Sequence, residues 1–151
     1  MTSAVTVRFA RTVTFSCAHR YFDPRLDDVA NRRLYGSLYR EEGFGHNFLL
    51  EAHFEGEIDP LTGMIVNLVD VDRWLKSVAS ILDHKHLNVL PQFRDASPTP
   101  ERIAQWFFSE LEPLVGAHVT ELRSRGDTRQ VSLAKVRLHE GENLWVDYGR
   151  P

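Results

Sequence analysis

The sequence is poor in cysteine, in long apolar runs and in net charge, and each absence excludes a class of protein. A single thiol, Cys17, excludes an internal disulfide. No apolar run approaches the length of a membrane-spanning helix, and the first residues lack the pattern of a secretory signal. A formal net charge of −3 does not indicate a binder of nucleic acid or of a membrane surface. We therefore expect a cytoplasmic protein that binds neither.

The composition is typical of one ordinary globular domain. The chain has 151 residues, of which 42% are hydrophobic and 26% charged, enough to form a core without disulfides. No repeat, low-complexity tract or linker rich in Pro or Ser divides it. We predict a single domain over residues 1–151.

Alternating apolar residues predict strands. The alternation is clearest in residues 5–19 and 46–55, where one parity is apolar and the other polar, as in a strand with one buried face. Residues 131–138 and 144–148 are predicted to be two closing strands. Isolated sheet edges are a liability, so the pattern also favours an oligomer.

Apolar residues at helical spacing predict two main helices. One runs from Asp70 to Leu82, with Asp70 as its cap, and the other begins at Pro100 behind a cap at Thr99. A short helix is expected over residues 28–35. The order of elements favours an α+β fold, in which a four-stranded antiparallel sheet carries both main helices on one face.

Two histidines at strand ends are candidates for a metal site. His19 ends the first predicted strand and His46 begins the second. Side chains at adjacent strand ends can bind one ion, and neutral imidazole suits zinc. The alternative interpretation is that both are ordinary polar residues of strand ends.

Two further groups are candidates for acid–base chemistry and ligand binding. In Asp83–His84 a carboxylate can orient or tune an imidazole base, although a solvated helix end has the same composition. Glu140, at the end of a predicted strand, can accept two N–H groups from a guanidine-like edge such as that of a pterin. A turn carboxylate is the alternative there.

Together these segments resemble one family in their order and spacing. They read TFSCAHRY, LYGSLYREEGFGHNF, GEIDPLTGMIVNLVDVDRWL, LDHKHLN, SPTPERIAQW and VRLHE. They resemble the 6-pyruvoyl- and 6-carboxytetrahydropterin synthases over roughly Phe9 to Gly149. The resemblance implies a T-fold whose subunits join into a trimeric barrel, with two trimers stacked as a hexamer and active sites at subunit interfaces.

The same resemblance implies an altered metal site. Two of the family's three zinc histidines match His19 and His46, but the middle one falls on Phe44, which cannot bind zinc. The family's cysteine nucleophile or base falls on Leu38. Catalytic zinc normally has three protein ligands and one open position.

The rest of the implied site is retained. The family's catalytic pair matches Asp83 and His84, and its pterin-anchoring glutamate matches Glu140. The threonine and glutamate of its P-T-x-E segment match Thr99 and Glu101.

Two residues are candidates for the missing ligand. Cys17 shares a strand face with His19, and zinc accepts sulfur and nitrogen together, although a free cysteine is also a common small core residue. Glu42 shares the parity of Phe44 and can supply a carboxylate or a base, or be an exposed loop acid. Phe44 itself can stack on a pterin or simply fill the vacated space.

The resemblance implies a zinc-dependent lyase acting on 7,8-dihydroneopterin triphosphate. Two alternatives stay open: a pterin- or purine-binding paralogue without lyase activity, and a metal-free enzyme like the dihydroneopterin aldolases. The segment 117–130 looks like an insertion. Its arginines either bind triphosphate or belong to a solvated charged loop, and these are Arg123, Arg125 and Arg129.

Overall fold

A four-stranded antiparallel sheet organises the chain, which we describe over residues 5–151 in a computed structural model. The strands lie side by side in sequence order: β1 (Val7–His19), β2 (Phe44–Gly56), β3 (Val131–Gly141) and β4 (Leu144–Gly149). The register places Cys17 opposite His46, His19 opposite Phe44, and Leu49 opposite His139. The end of β1, the start of β2 and the end of β3 therefore meet at one end of the sheet.

The predicted alternation is confirmed in the strands. In β2 the side chains of Phe48, Leu50, Ala52 and Phe54 are at most 1% exposed, while their neighbours are partly exposed. β1 begins at Val7 rather than Val5, and β2 is longer than predicted at both ends.

Three α-helices complete the fold: α1 (Asp28–Tyr35), α2 (Leu68–Leu82) and α3 (Pro100–Ser124). The predicted bounds of α1 are confirmed, and so is the cap of α3, where the Thr99 hydroxyl accepts a hydrogen bond from the Arg102 backbone N–H at 3.4 Å. α3 continues to Ser124, so half of the segment that looked like an insertion is helical.

The predicted cap of α2 was wrong. Asn67, not Asp70, caps the helix, since its side chain accepts a hydrogen bond from the Val69 backbone N–H at 2.9 Å. Asp70 lies inside the first turn and forms an ion pair with Arg73 at 2.7 Å. The hydrophobic pattern located the helix but not its first two residues, Leu68 and Val69, which are exposed.

The core lies between one face of the sheet and helices α2 and α3. Fully buried side chains of the helices, such as Val71, Ile103 and Phe107, pack with those of β2. The α+β arrangement with both main helices on one face is thus confirmed. Within residues 5–151 no helix combines the length and the apolar character needed to cross a membrane.

At the far end of the sheet, where β1 begins and β2 ends, charged groups are tied to one another. The guanidinium of Arg129 pairs with Asp127 at 2.7 Å and lies 3.3–3.4 Å from the carbonyls of Glu57, Met64 and Ile65. Arg123 donates to the Asp127 carbonyl at 2.6 Å. This end is closed by its own hydrogen bonds.

Candidate active site

His19 and His46 come together at the other end of the sheet, on the face that carries the helices. Their rings lie 5.4 Å apart between centroids, and the His19 side chain is 1% exposed. Nδ1 of His19 lies 2.7 Å from the Pro98 carbonyl. Because a carbonyl oxygen only accepts, the ring must donate from Nδ1, which leaves Nε2 with a free lone pair in the neutral ring.

Glu140 at the end of β3 joins the two histidines. Its Oε1 lies 3.0 Å from Nε2 of His46 and 3.8 Å from Nε2 of His19, and a ligand atom from each of the three residues falls within 4.8 Å of the others. Two ligands in a zinc tetrahedron lie about 3.3 Å apart for bonds of about 2.0 Å, so the two distances bracket the expected spacing.

The donor set fits a metal ion. Two imidazoles and a carboxylate with a fourth position open are a common catalytic zinc set. The second carboxylate oxygen of Glu140 is buried and has no hydrogen-bond partner within the described residues. A buried oxygen without a partner is costly unless something else completes its surroundings.

The protonation of the site suits a cation. Burial lowers the pKa of His46, and the nearby His19 adds to that effect while Glu140 opposes it, so the imidazole is neutral at neutral pH. Burial by itself would raise the pKa of Glu140, but the neighbouring imidazoles of His19 and then His46 lower it overall. A neutral imidazole and an ionised carboxylate are the forms that bind metal.

Cys17 lies in the core and outside this three-residue group. Burial, and then the charges of Asp83 and Glu140, raise the pKa of the thiol to about 12. Zinc binds the thiolate, which is scarce at neutral pH under those conditions. The role of Cys17 as a ligand stays a prediction, and the observed packing matches its alternative interpretation as a small core residue.

Phe44 occupies the place of the missing histidine. It lies directly across from His19, and its ring stacks on that of His46 with 6.5 Å between centroids and 17° between planes. The guanidinium of Arg40 lies 5.0 Å from the same ring. Leu38 is 39% exposed and Glu42 is exposed, so neither enters the histidine cluster.

The turn after α2 holds the predicted catalytic pair against the end of β1. Asp83 accepts a hydrogen bond from the Ser16 backbone N–H at 2.9 Å, and the His84 N–H donates to the Ser16 carbonyl at 2.6 Å. The imidazole of His84 is 84% exposed and its Nε2 lies 3.6 Å from the Asp83 carboxylate. The carboxylate is thus fixed by backbone while the imidazole is free to move.

A groove joins this turn to His46 of the three-residue group. Its volume is about 510 Å³, and its lining includes Cys17, His46, His84 and His86. The sequence places His86 in the same short motif as Asp83 and His84, but no separate role was predicted for it. Nδ1 of His86 is buried without a partner within the described residues, and burial, then His19 and Arg20, lower the pKa of the ring.

Two of the predicted pterin-binding residues, Glu140 and Glu101, act on Tyr21, which sequence reasoning also missed. Glu101 is exposed in the first turn of α3, and the Thr99 hydroxyl is engaged in capping that helix. Burial, then the charges of Glu140 and Glu101, raise the pKa of Tyr21 to about 12, so its hydroxyl stays protonated at neutral pH. The Tyr21 ring lies 5.7 Å from that of His19.

Known proteins share both the sequence and the fold. The family model described as 6-pyruvoyl tetrahydropterin synthase matches residues 8–151. The chain is 38% identical over 140 residues to the 6-pyruvoyl tetrahydrobiopterin synthase of Poecilia reticulata, covering 91% of this chain and 86% of that protein. It is 32% identical over 141 residues to the synthase of Homo sapiens, covering 92% and 88%.

The structural match agrees with the sequence match. The fold superposes on Caenorhabditis elegans 6-pyruvoyl tetrahydropterin synthase with a TM-score of 0.85 and 25% identity over the whole of both chains. The Plasmodium vivax synthase superposes with a TM-score of 0.68 at 16% identity, over 97% of this chain and 99% of that one, which bears on the fold alone. The predicted T-fold is confirmed, and the chain belongs to the 6-pyruvoyl tetrahydropterin synthase family.

Proposed function

We propose that the chain is a 6-pyruvoyl tetrahydropterin synthase-like lyase that acts on 7,8-dihydroneopterin triphosphate at a zinc ion held by His19, His46 and Glu140. The convergence of these three side chains, with Oε1 of Glu140 at 3.0 Å and 3.8 Å from the two imidazoles, carries the proposal. A bound zinc ion supplies acidification of a hydroxyl of the substrate side chain.

The surroundings of His19 support a role as a metal ligand. The Pro98 carbonyl at 2.7 Å fixes the tautomer and the orientation of the ring, as outer partners of metal-binding histidines commonly do. Phe44, stacked on His46, excludes water from the side where the family's middle histidine would stand.

We assign proton transfer to His84, with Asp83 as its positioning residue. Leu38 has no ionisable group, so the base must come from elsewhere in the groove. Asp83 is anchored to the Ser16 backbone, which leaves the exposed His84 imidazole to accept a proton from substrate and release it to water.

Glu140 cannot hold the metal and the amino edge of the pterin at once. That edge lies at the far end of a rigid bicycle from the side chain that the metal binds. We therefore assign the amino edge to Glu101, at the start of the helix that Thr99 caps, where its charge and that of Glu140 both act on Tyr21. The competing assignment, implied by the resemblance, is that Glu140 anchors the pterin.

An assay of the purified protein on 7,8-dihydroneopterin triphosphate, with and without added zinc, tests the proposal. Zinc-dependent release of triphosphate is the expected result. Binding without turnover in either condition would favour the paralogue that binds pterin without lyase activity. Turnover that survives complete metal removal would favour aldolase-like chemistry.

We also propose that copies of the chain join through the edge strands β1 and β4 into a barrel, as a trimer or a dimer of trimers. The sheet face away from the helices supports this, because its charges pair within the face: Asp147 lies 2.6 Å from Arg137 and 2.9 Å from Lys135. Such a face suits a water-filled interior rather than a packed apolar partner. Analytical ultracentrifugation gives the number of subunits, and a monomer would contradict the barrel. A cytoplasmic location stays a prediction.

A further inference from the structure

Arg20, the residue after His19, carries a partly buried guanidinium that forms no ion pair within residues 5–151. Its Nε and Nη2 are buried and have no hydrogen-bond partner within the described residues. An arginine does not lose its proton, so the positive charge remains. Burying a charge that no anion balances is costly.

Aromatic rings hold this cation in place. The Arg20 guanidinium lies 4.7 Å from the centroid of the Phe22 ring and 4.5 Å from that of Tyr39. Arg32 lies 4.7 Å from the same Tyr39 ring, so two positive charges share one aromatic side chain. Cation–π contacts offset part of the desolvation, but they provide no acceptor for the N–H groups.

The position of Arg20 ties it to the candidate active site. Its backbone N–H and carbonyl bond the side chain of Asn88 at 2.9 Å and 3.0 Å, in the segment that follows His84 and His86. Its charge is near enough to His86 to contribute to lowering the pKa of that groove residue. The Arg20 backbone is therefore tied to the segment that carries His86, and the charge of its guanidinium reaches that groove residue.

The arginines that the sequence offered for phosphate are engaged elsewhere. Arg129 pairs with Asp127, Arg125 with Glu121, and Arg123 donates to two backbone carbonyls at the far end of the sheet. These three arginines are thus engaged within the chain, which favours the charged-loop interpretation of this segment over triphosphate binding.

We propose that Arg20 forms an oxyanion subsite that binds the phosphate chain of the substrate. A planar guanidinium matches phosphate oxygens with paired N–H groups. The phosphate chain is attached to the same side chain that the metal holds, which places it beside His19. The identity of the phosphate as part of the substrate rests on the proposed function, whereas the oxyanion subsite itself does not.

Calorimetric titration with inorganic tripolyphosphate tests the subsite. It compares the parent with Arg20→Gln, Arg20→Lys and the control Arg33→Gln, an exposed arginine on α1. No zinc is added, and bound zinc is measured before and after, because tripolyphosphate itself binds zinc. We expect Arg20→Gln to weaken tripolyphosphate binding roughly ten-fold or more, Arg20→Lys to weaken it less, and the control to match the parent. Neopterin, which has no phosphate, should bind all four alike.

Three results would overturn the proposal. They are a parent that does not bind tripolyphosphate, equal affinity in the parent and Arg20→Gln, and a loss in Arg33→Gln as large as that in Arg20→Gln. If Arg20→Gln changes the oligomeric mass but not the affinity, the cation pairs with a carboxylate of a second copy instead. Thermal unfolding of each variant excludes misfolding, and Arg20→Lys keeps the test valid if Arg20→Gln does not fold. A protein that binds tripolyphosphate through Arg20 without any turnover would refute the lyase and keep the subsite.

Discussion

The two ends of the sheet satisfy their polar groups in opposite ways. At the end where β1 begins, Arg129 is surrounded by Asp127 and backbone carbonyls, and the loop closes on itself. At the end where β1 finishes, three residues on or near the candidate site have buried side-chain nitrogen or oxygen atoms without a hydrogen-bond partner within residues 5–151: Arg20, His86 and Glu140. Native proteins rarely leave such atoms unpaired, so their concentration at one end supports our proposal that a metal ion and a substrate bind there.

The largest expected effect concerns the incomplete end. Replacing His84 by Ala should lower kcat roughly 100-fold to 10,000-fold, because the groove then loses its mobile base. Zinc content and neopterin affinity should stay at the parent's values. Steady-state kinetics, with metal analysis of the same sample, measures the effect. A kcat within a factor of a few of the parent's would show that another group, with His86 as the first candidate, moves the proton.

Restoring a histidine at position 44 should strengthen metal binding. Phe44→His places an imidazole across from His19, where the family has its middle ligand, and we expect zinc affinity to rise roughly ten-fold to 100-fold. Competition with a chromogenic chelator measures this. An unchanged affinity would mean that three ligands already saturate the site, and a lower one that Phe44 packing supports it. Phe48→Leu, a conservative change at a buried neighbour, is the packing control.

The closed end should contribute stability and nothing else. Arg129→Gln leaves the Asp127 carboxylate without its guanidinium, so we expect the free energy of unfolding to fall by about 2 kcal/mol. Zinc content and tripolyphosphate affinity should not change. Urea denaturation measures the free energy of unfolding of this variant and of Arg20→Gln. Arg20→Gln removes a charge that has no counter-charge within residues 5–151, so it should lower the free energy of unfolding less than Arg129→Gln does. A larger cost at Arg20 would show that its charge is paired.

The smallest expected effect is on pH dependence. Because burial lowers the pKa of His46 below its ordinary value of 6.5, the ring should stay unprotonated at pH 6.5 and compete with zinc only at lower pH. Zinc affinity should therefore be retained as the pH falls to 6.5 and should decline at lower pH. Zinc titrations between pH 5 and 8 in about half-unit steps check this. A decline that begins well above pH 6.5 would mean that His46 is more exposed to water than it is here.

Local patterns were enough to predict the sheet, the helices and the cap of α3. β2 alternates over its whole length, and Thr99–Pro100 is a local capping signal that needs no tertiary information. The cap of α2 was misassigned because Asn67 and Asp70 are both suitable residues three positions apart, and only the backbone shows which one precedes the first turn.

The site was only partly predictable because some of its residues are brought together by strand pairing between distant parts of the chain. His19, His46 and the Asp83–His84 pair could be named from local motifs and from the family resemblance. That Glu140 turns to the histidines depends on the pairing of β2 with β3, residues about 90 positions apart in the chain. The burial of Arg20 and His86 depends in turn on how the segment after α2 lies along β1, which no local pattern encodes.

The most direct test is the zinc content per subunit of the parent, Glu140→Gln and Cys17→Ala, measured by mass spectrometry after dialysis, with Glu51→Gln as the control carboxylate on the opposite sheet face. If Glu140 is the third ligand, zinc is near one per subunit in the parent, Cys17→Ala and Glu51→Gln, and largely lost in Glu140→Gln. Zinc retained in Glu140→Gln together with lost neopterin binding would return Glu140 to the pterin. Zinc lost only in Cys17→Ala would contradict the metal site proposed here and show that it is built on the thiol.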